Sequence, residues 1–175
     1  MSATRHYRAT GRVLFLMLTA VLALLSACGS VQHSVKLDES FTPDSGTPIQ
    51  VGQVANQTGH TFDVNVEQLL TDALTEKLRD KQLLWPGGDG RRLMLTSTIV
   101  EYEEGNAFKR WMLPGWGSTV LTVRGDLKDG ERLVGSVDAR RTVSFGGAFT
   151  IGAWKSIVGN VAEDIVGELH AKLQR

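Results

Sequence analysis

The spacing of apolar residues along the chain predicts two helices. In the first, apolar residues recur every three or four positions between Val66 and Leu78, and Asn65 with Gln68 suits a box that caps its start. Pro86-Gly87-Gly88 ends this helix and the turn that follows it. The second helix shows the same spacing from Trp154 to Leu173. Each helix therefore has an apolar stripe that needs a surface to cover it.

Four other segments alternate in the two-residue period of strands, and they begin near Pro48, Leu93, Ser118 and Leu133. The last two are joined by a hairpin turn at residues 128–130. We expect the following side chains to face the core: Leu121, Val123, Leu127, Leu133, Gly135, Val137, Ala139 and Val143. The segment from Leu93 places Tyr102 on the same side as Met94, with both faces partly buried. Arg141 interrupts the apolar face and indicates a nearby sheet edge.

The order of these elements is β-α-β-β-β-α, which predicts a mixed α+β fold. We expect a single sheet of about four strands with two helices packed on it. Residues 47–175 form this one domain, and residues 28–46 are predicted to be a polar, flexible tether. Val35 and Leu37 leave open the alternative that part of this tether is a short strand docked on the fold.

Residues 1–27 have the pattern of an export signal. Arg5, Arg8 and Arg12 precede 13 apolar or small residues that end at Leu25, a run too short to span a bilayer comfortably. Leu25-Ser26-Ala27-Cys28 resembles the lipobox of bacterial lipoproteins. That resemblance implies cleavage between Ala27 and Cys28 and a diacylglyceryl thioether on Cys28, with further acylation such as palmitate at its freed amine. Cys28 is also the only cysteine in the chain.

The residues after Cys28 indicate which membrane the protein reaches. Gly29 and Ser30 stand where an Asp usually retains lipoproteins in the inner membrane of Gram-negative bacteria. The resemblance therefore implies the outer membrane, facing the periplasm. The mature chain has 16 basic and 19 acidic residues, a net charge of −3, and would be held by its acyl chains and not by a basic patch.

Composition and motifs argue against nucleic-acid binding, cofactors and catalysis. The chain has a net charge of zero, whereas a nucleic-acid binder normally has an excess of basic residues. It has one cysteine, which excludes a multi-cysteine metal site. In the glycine-rich turn before the last helix, Lys155 comes two residues too late for a phosphate-binding loop. His60 with Asp63 supplies only two metal ligands. We therefore expect no enzyme activity, cofactor or metal, with a hydrolase using the cluster from Glu101 to Glu104 as a remote alternative.

The segment from Ala107 to Gly117 joins two strands and is unusually apolar for a loop. Phe108, Arg110, Trp111 and Trp116 are its candidate interaction residues, because aromatic and arginine side chains anchor protein interfaces. A core cap is the alternative, since tryptophans seldom lie loose in water. The sequence leaves both interpretations open.

These motifs resemble a family of small bacterial lipoproteins that carry a domain of unknown function. The resemblance rests on Val51-Gly-Gln-Val-Ala-Asn56-Gln-Thr58-Gly59, on Arg110 with Gly115-Trp116-Gly117, and on Leu121-Thr-Val123-Arg-Gly-Asp126 before a hairpin. The first half is also similar to the amino-terminal domain of the Tol-Pal translocation protein, to the curli secretion lipoprotein and to lipoprotein activators of penicillin-binding proteins.

Those relatives imply a non-catalytic domain that binds another envelope protein. A rival expectation is an oligomeric subunit of a secretion or pore assembly, although no stretch here matches the transmembrane hairpins of the curli pore.

Overall fold

Five strands and two helices make up the described part of the chain. The computed structural model describes residues 30–44, 46–106, 117–143 and 153–174, with side chains of the last helix from Ser156 onward. The strands are β1 (Val31–Leu37), β2 (Ile49–Asn56), β3 (Leu93–Glu103), β4 (Thr119–Asp129) and β5 (Arg132–Val143). The helices are α1 (Val66–Asp80) and α2 (Ala153–Leu173). The mixed α+β class and the two helices are confirmed.

The strands form one sheet in the order β1-β5-β4-β3-β2. The pair β2–β3 is parallel, and α1 lies between these strands in the chain. The pairs β3–β4, β4–β5 and β1–β5 are antiparallel. The sheet is therefore mixed. The hairpin turn between β4 and β5 lies at Gly130 and Glu131, so it overlaps the predicted turn at residues 128–130 only at Gly130.

The prediction of about four strands in the order β-α-β-β-β-α was wrong by one strand, because it lacked β1. Val31–Leu37 pairs along its whole length with β5, from Val31 opposite Arg141 to Leu37 opposite Gly135. These residues belong to the sheet and not to a flexible tether, so the alternative raised by Val35 and Leu37 is the one observed. The strand is hard to detect from sequence because Val35 alone among its seven residues is buried.

Both helices pack together on one face of the sheet. The stripe of α2 is buried as predicted, at Ile157, Val158, Val161, Ala162, Ile165, Val166, Leu169 and Leu173. In α1, Asn65 caps the first turn by accepting a hydrogen bond from the backbone N–H of Gln68 at 2.8 Å. The Gln68 side chain turns to Asp72 instead of completing a capping box.

Two bulges change which side chains face the core. One lies between Ile99 and Glu101 and turns Tyr102 to the helix side, where it is 2% exposed and meets Phe62 edge to face. The other lies beside Leu127 and buries Val134, whereas Leu133 is 52% exposed. The predicted faces of Tyr102 and Leu133 were therefore wrong, because an extra residue in one strand reverses the alternation.

Candidate functional site

The residues with the strongest sequence signals lie outside the described residues. These are Ala27 and Cys28 of the lipobox, and Phe108, Arg110, Trp111 and Trp116 of the aromatic segment. The structure does describe the residues that flank them. Ser30 accepts a hydrogen bond from the backbone N–H of Thr142 at 3.0 Å, so the sheet begins two residues after Cys28. None of the described helices has the length and apolar character needed to cross a membrane.

The flanks of the aromatic segment lie at the same end of the sheet as Ser30. Asn106 donates its backbone N–H to the Gly117 carbonyl at 2.8 Å, just beyond the paired ends of β3 and β4. Across the sheet, Val31 lies opposite Arg141, which lies opposite Leu121, which lies opposite Tyr102. We call this row and the residues beyond it the anchor end. The opposite end, at the turn between β4 and β5, is the hairpin end.

The sheet face opposite the helices carries hydroxyl and charged side chains. Two adjoining hollows of about 280 and 290 Å³ follow this face and share Arg124 and Asp138. Arg124 and Asp138 form an ion pair at 3.3 Å, with both side chains more than half exposed. Such exposed pairs stabilise a fold by at most about 1 kcal/mol. This polar face therefore presents shallow hydrogen-bonding surface and not an enclosed substrate cavity.

Glu101 lies on this polar face in a setting that favours its ionised form. Thr122 donates its hydroxyl to the Glu101 carboxylate at 2.6 Å, and Arg140 approaches the same oxygen at 3.2 Å. The Thr122 hydrogen bond, followed by the contacts with Arg140, lowers the pKa of Glu101 below its ordinary value. A general acid in glycoside hydrolysis needs the opposite, a raised pKa. Glu101 therefore does not suit the general-acid role in the hydrolase alternative.

Tyr102 presents a buried hydroxyl group at the anchor end. Within the described ranges no hydrogen-bond partner reaches its oxygen. Burial, followed by the nearby charge of Glu104, raises the pKa of Tyr102 to about 12. The side chain is therefore neutral at physiological pH and contributes a packed ring, not a proton donor tuned for catalysis.

A second polar cluster joins β1 and β5 to α2. Arg141 donates two hydrogen bonds to the Asp164 carboxylate, at 2.5 and 2.8 Å. His33 lies 3.8 Å from Asp164 and 3.4 Å from Glu168. Arg141 thus interrupts the apolar face because it pairs with a helix carboxylate, and the sheet edge beside it is β1.

This cluster could not be predicted from the sequence, because His33 lies within residues 28–46, the predicted tether. The one indication of this cluster in the sequence was Arg141, a charged residue within an alternation of apolar side chains. The described residues contain no group of three or more side chains suited to hold a metal ion. The cluster therefore links elements of the fold and offers no metal centre.

Residues 33–147 match the model of a family described as Domain of unknown function (DUF4410). The chain belongs to this family. The match begins at the third residue of β1 and continues past the end of β5, so it includes most of the edge strand. No curated protein matches the sequence significantly.

Several solved structures are similar in fold to this DUF4410 chain. PelC from Paraburkholderia phytofirmans, described as a dodecamer, is 16% identical, with a TM-score of 0.55 over 81% of this chain and 97% of PelC. A PelC variant gives a TM-score of 0.54 at the same identity and coverage. Protein XCC0632 from Xanthomonas campestris, of a family called DUF330, has a TM-score of 0.45 and 12% identity over 79% of this chain and 96% of its own.

At 16% identity the likeness to PelC shows a common fold. Lipid attachment, an outer-membrane location and similarity to Tol-Pal or curli proteins stay predictions from sequence.

Proposed function

We propose that this DUF4410 chain is a lipoprotein of the outer membrane that acts non-catalytically, by contact with another envelope protein in the periplasm. The observation that carries the proposal is Leu25-Ser26-Ala27-Cys28 after a basic and then apolar segment. Two or three acyl chains on Cys28 would anchor the domain stably, because a single chain binds only reversibly.

The electrostatics of the polar face support binding over catalysis. Two ion pairs, Arg124–Asp138 and Arg140–Glu101, lie on this face, and its hollows are shallow. Groups arranged in this way can exchange hydrogen bonds with a protein surface. Catalysis would instead need a titratable group whose pKa is shifted towards its working pH.

The aromatic segment from Phe108 to Trp116 is the proposed contact with the partner. Its described flanks, Asn106 and Gly117, lie at the anchor end. Aromatic and arginine anchors commonly cost more than about 2 kcal/mol of binding when truncated. Trp111 and Arg110 supply both kinds of side chain.

In-cell crosslinking of Trp111→Ala tests this contact. We expect the variant to lose a crosslink to its partner while its melting temperature stays nearly unchanged. Trp85→Ala is the matched control, because Trp85 stacks with Arg92 near the hairpin end, and it should keep the crosslink. If Trp111→Ala instead lowers stability by about 3–5 kcal/mol, the range for a buried aromatic, and keeps its crosslinks, the segment is a core cap.

A second candidate function is that of an oligomeric subunit in a secretion or pore assembly. The description of PelC as a dodecamer favours it. Native mass spectrometry of the detergent-extracted protein decides between the two. A closed ring of many copies supports the subunit, and a monomer supports the single-domain binding protein.

A further inference from the structure

The short connection between Cys28 and the sheet limits how the domain can sit on a membrane. Ser30 is already hydrogen-bonded to Thr142, and Gly29 alone separates it from Cys28. Consecutive Cα atoms are 3.8 Å apart, so the Cα atoms of Cys28 and Ser30 lie at most about 7.6 Å from each other. An anchor on Cys28 therefore leaves almost no slack before the folded sheet.

β1 fixes which end of the sheet this connection reaches. Its first residue, Val31, lies in the row that crosses the sheet through Arg141, Leu121 and Tyr102. Val31 is 47% exposed and Leu133, at the hairpin end, is 52% exposed, so the connection to Cys28 and not exposed apolar surface distinguishes the two ends. The anchor end is thus the end nearest to the lipid.

The hairpin end has the character of a surface that faces water. Arg91 pairs there with both Asp44 and Asp129, and Arg132 pairs with Asp38 at 3.5 Å. The exposed fractions of these five charged side chains range from 28% at Asp129 to 75% at Asp44, so each can remain in contact with water. The eleven residues of β4 separate the two ends by roughly 35 Å at about 3.3 Å per residue.

We propose that the bilayer surface occupies the anchor end of the domain and that the hairpin end points into the periplasm. This inference rests on the proposed lipid anchor and goes beyond it, because a lipoprotein with a long tether has no fixed orientation. A partner that contacts the segment from Phe108 to Trp116 then has to present its binding surface close to the membrane.

Fluorescence quenching in vesicles tests the orientation. The lipidated chain is extracted from membranes and reconstituted into vesicles of phosphatidylethanolamine and phosphatidylglycerol that contain a headgroup-labelled quencher lipid. One exposed glutamate at each end is replaced by cysteine and labelled, Glu104→Cys at the anchor end and Glu131→Cys at the hairpin end. Acylation blocks the thiol of Cys28, so each variant carries one dye. We expect several-fold stronger quenching at position 104 than at position 131.

A long linker provides the matched control. About 20 Gly and Ser residues inserted between Gly29 and Ser30 give a coil of roughly 25 Å root-mean-square length. This insertion should remove most of the contrast between the two dyes, because it frees the anchor end from the bilayer. A contrast that survives the insertion unchanged contradicts the role given to the short connection.

The outcomes separate this inference from the function on which it rests. A chain that does not float with vesicles lacks the lipid anchor, which overturns both. A chain that floats but shows equal quenching at the two positions, or stronger quenching at position 131, overturns the orientation alone.

Discussion

Gly125 in the sheet and Gly159 in α2 differ in the space that surrounds them. A Cβ atom on Gly125 would lie 2.7 Å from the backbone carbonyl oxygen of Thr96, which is too close to accommodate without moving a strand. A Cβ atom on Gly159 would meet nothing within 4 Å. Both glycines lie within regular elements, and only the packing tells at which of them a side chain would clash.

The two glycines give opposite predictions for the same substitution. Gly125→Ala should lower the free energy of unfolding by about 1–3 kcal/mol, because it overpacks the β3–β4 contact. Gly159→Ala should raise it by about 0.5–1 kcal/mol, because alanine is the better helix former. Urea unfolding followed by circular dichroism measures both, and a neutral Gly125→Ala would show that the strands can separate at no cost.

The lowered pKa of Glu101 predicts that this residue contributes to the free energy of unfolding in a pH-dependent way. Its folded-state pKa lies below the ordinary value of 4.5, so the ionised carboxylate stabilises the fold above that pH. The contribution is lost as the pH falls through the folded-state pKa. The side chains of Glu101 and Arg140 are 41% and 38% exposed, which limits their interaction to at most about 1 kcal/mol.

Glu101→Gln should therefore destabilise the protein slightly at pH 7 and leave its stability unchanged at strongly acidic pH. Glu103→Gln controls for the removal of one negative charge, because Glu103 is exposed near the end of the same strand. Denaturation midpoints measured across this pH range provide the test. A deficit for Glu101→Gln that grows as the pH falls would contradict the pairing.

At the scale of elements, periodicity predicted the helices better than the strands. The α2 stripe is long and continuous, so its buried face could be predicted residue by residue. A bulge depends on the pairing partner, and nothing in the local sequence marked the reversals at Tyr102 and Val134. β1 was predicted only as an alternative to the tether for a related reason, since an exposed edge strand has little need for apolar alternation.

Ile165 tests whether the α2 stripe is the core of the domain. The side chain is 1% exposed and faces the sheet. Ile165→Ala should lower the free energy of unfolding by about 2–4 kcal/mol, and Ile165→Asp should prevent folding because it buries an unpaired charge. Glu163→Ala, at an exposed position two residues away, should change stability little. Normal thermal unfolding of Ile165→Asp would place the stripe outside the core.

At the scale of the whole molecule, the sequence predicted the fold class and two functional segments. The sheet positions the flanks of both segments at one end, which sequence alone could not show because the pairing of β1 with β5 was not predicted. The charge pairs on the polar face could not be predicted from the sequence, because they depend on cross-strand register, as in Arg124 opposite Asp138.

Intact-mass analysis of the protein extracted from the outer membrane tests the central claim most directly. The account predicts a chain that begins at Cys28 and carries a diacylglyceryl group with an additional acyl chain. Cys28→Ser should give an unacylated chain that leaves the membrane fraction or remains as the full precursor, whereas Ser30→Ala should be processed like the wild type. A membrane-bound wild-type chain that begins at Met1, or an unmodified Cys28, would contradict the account.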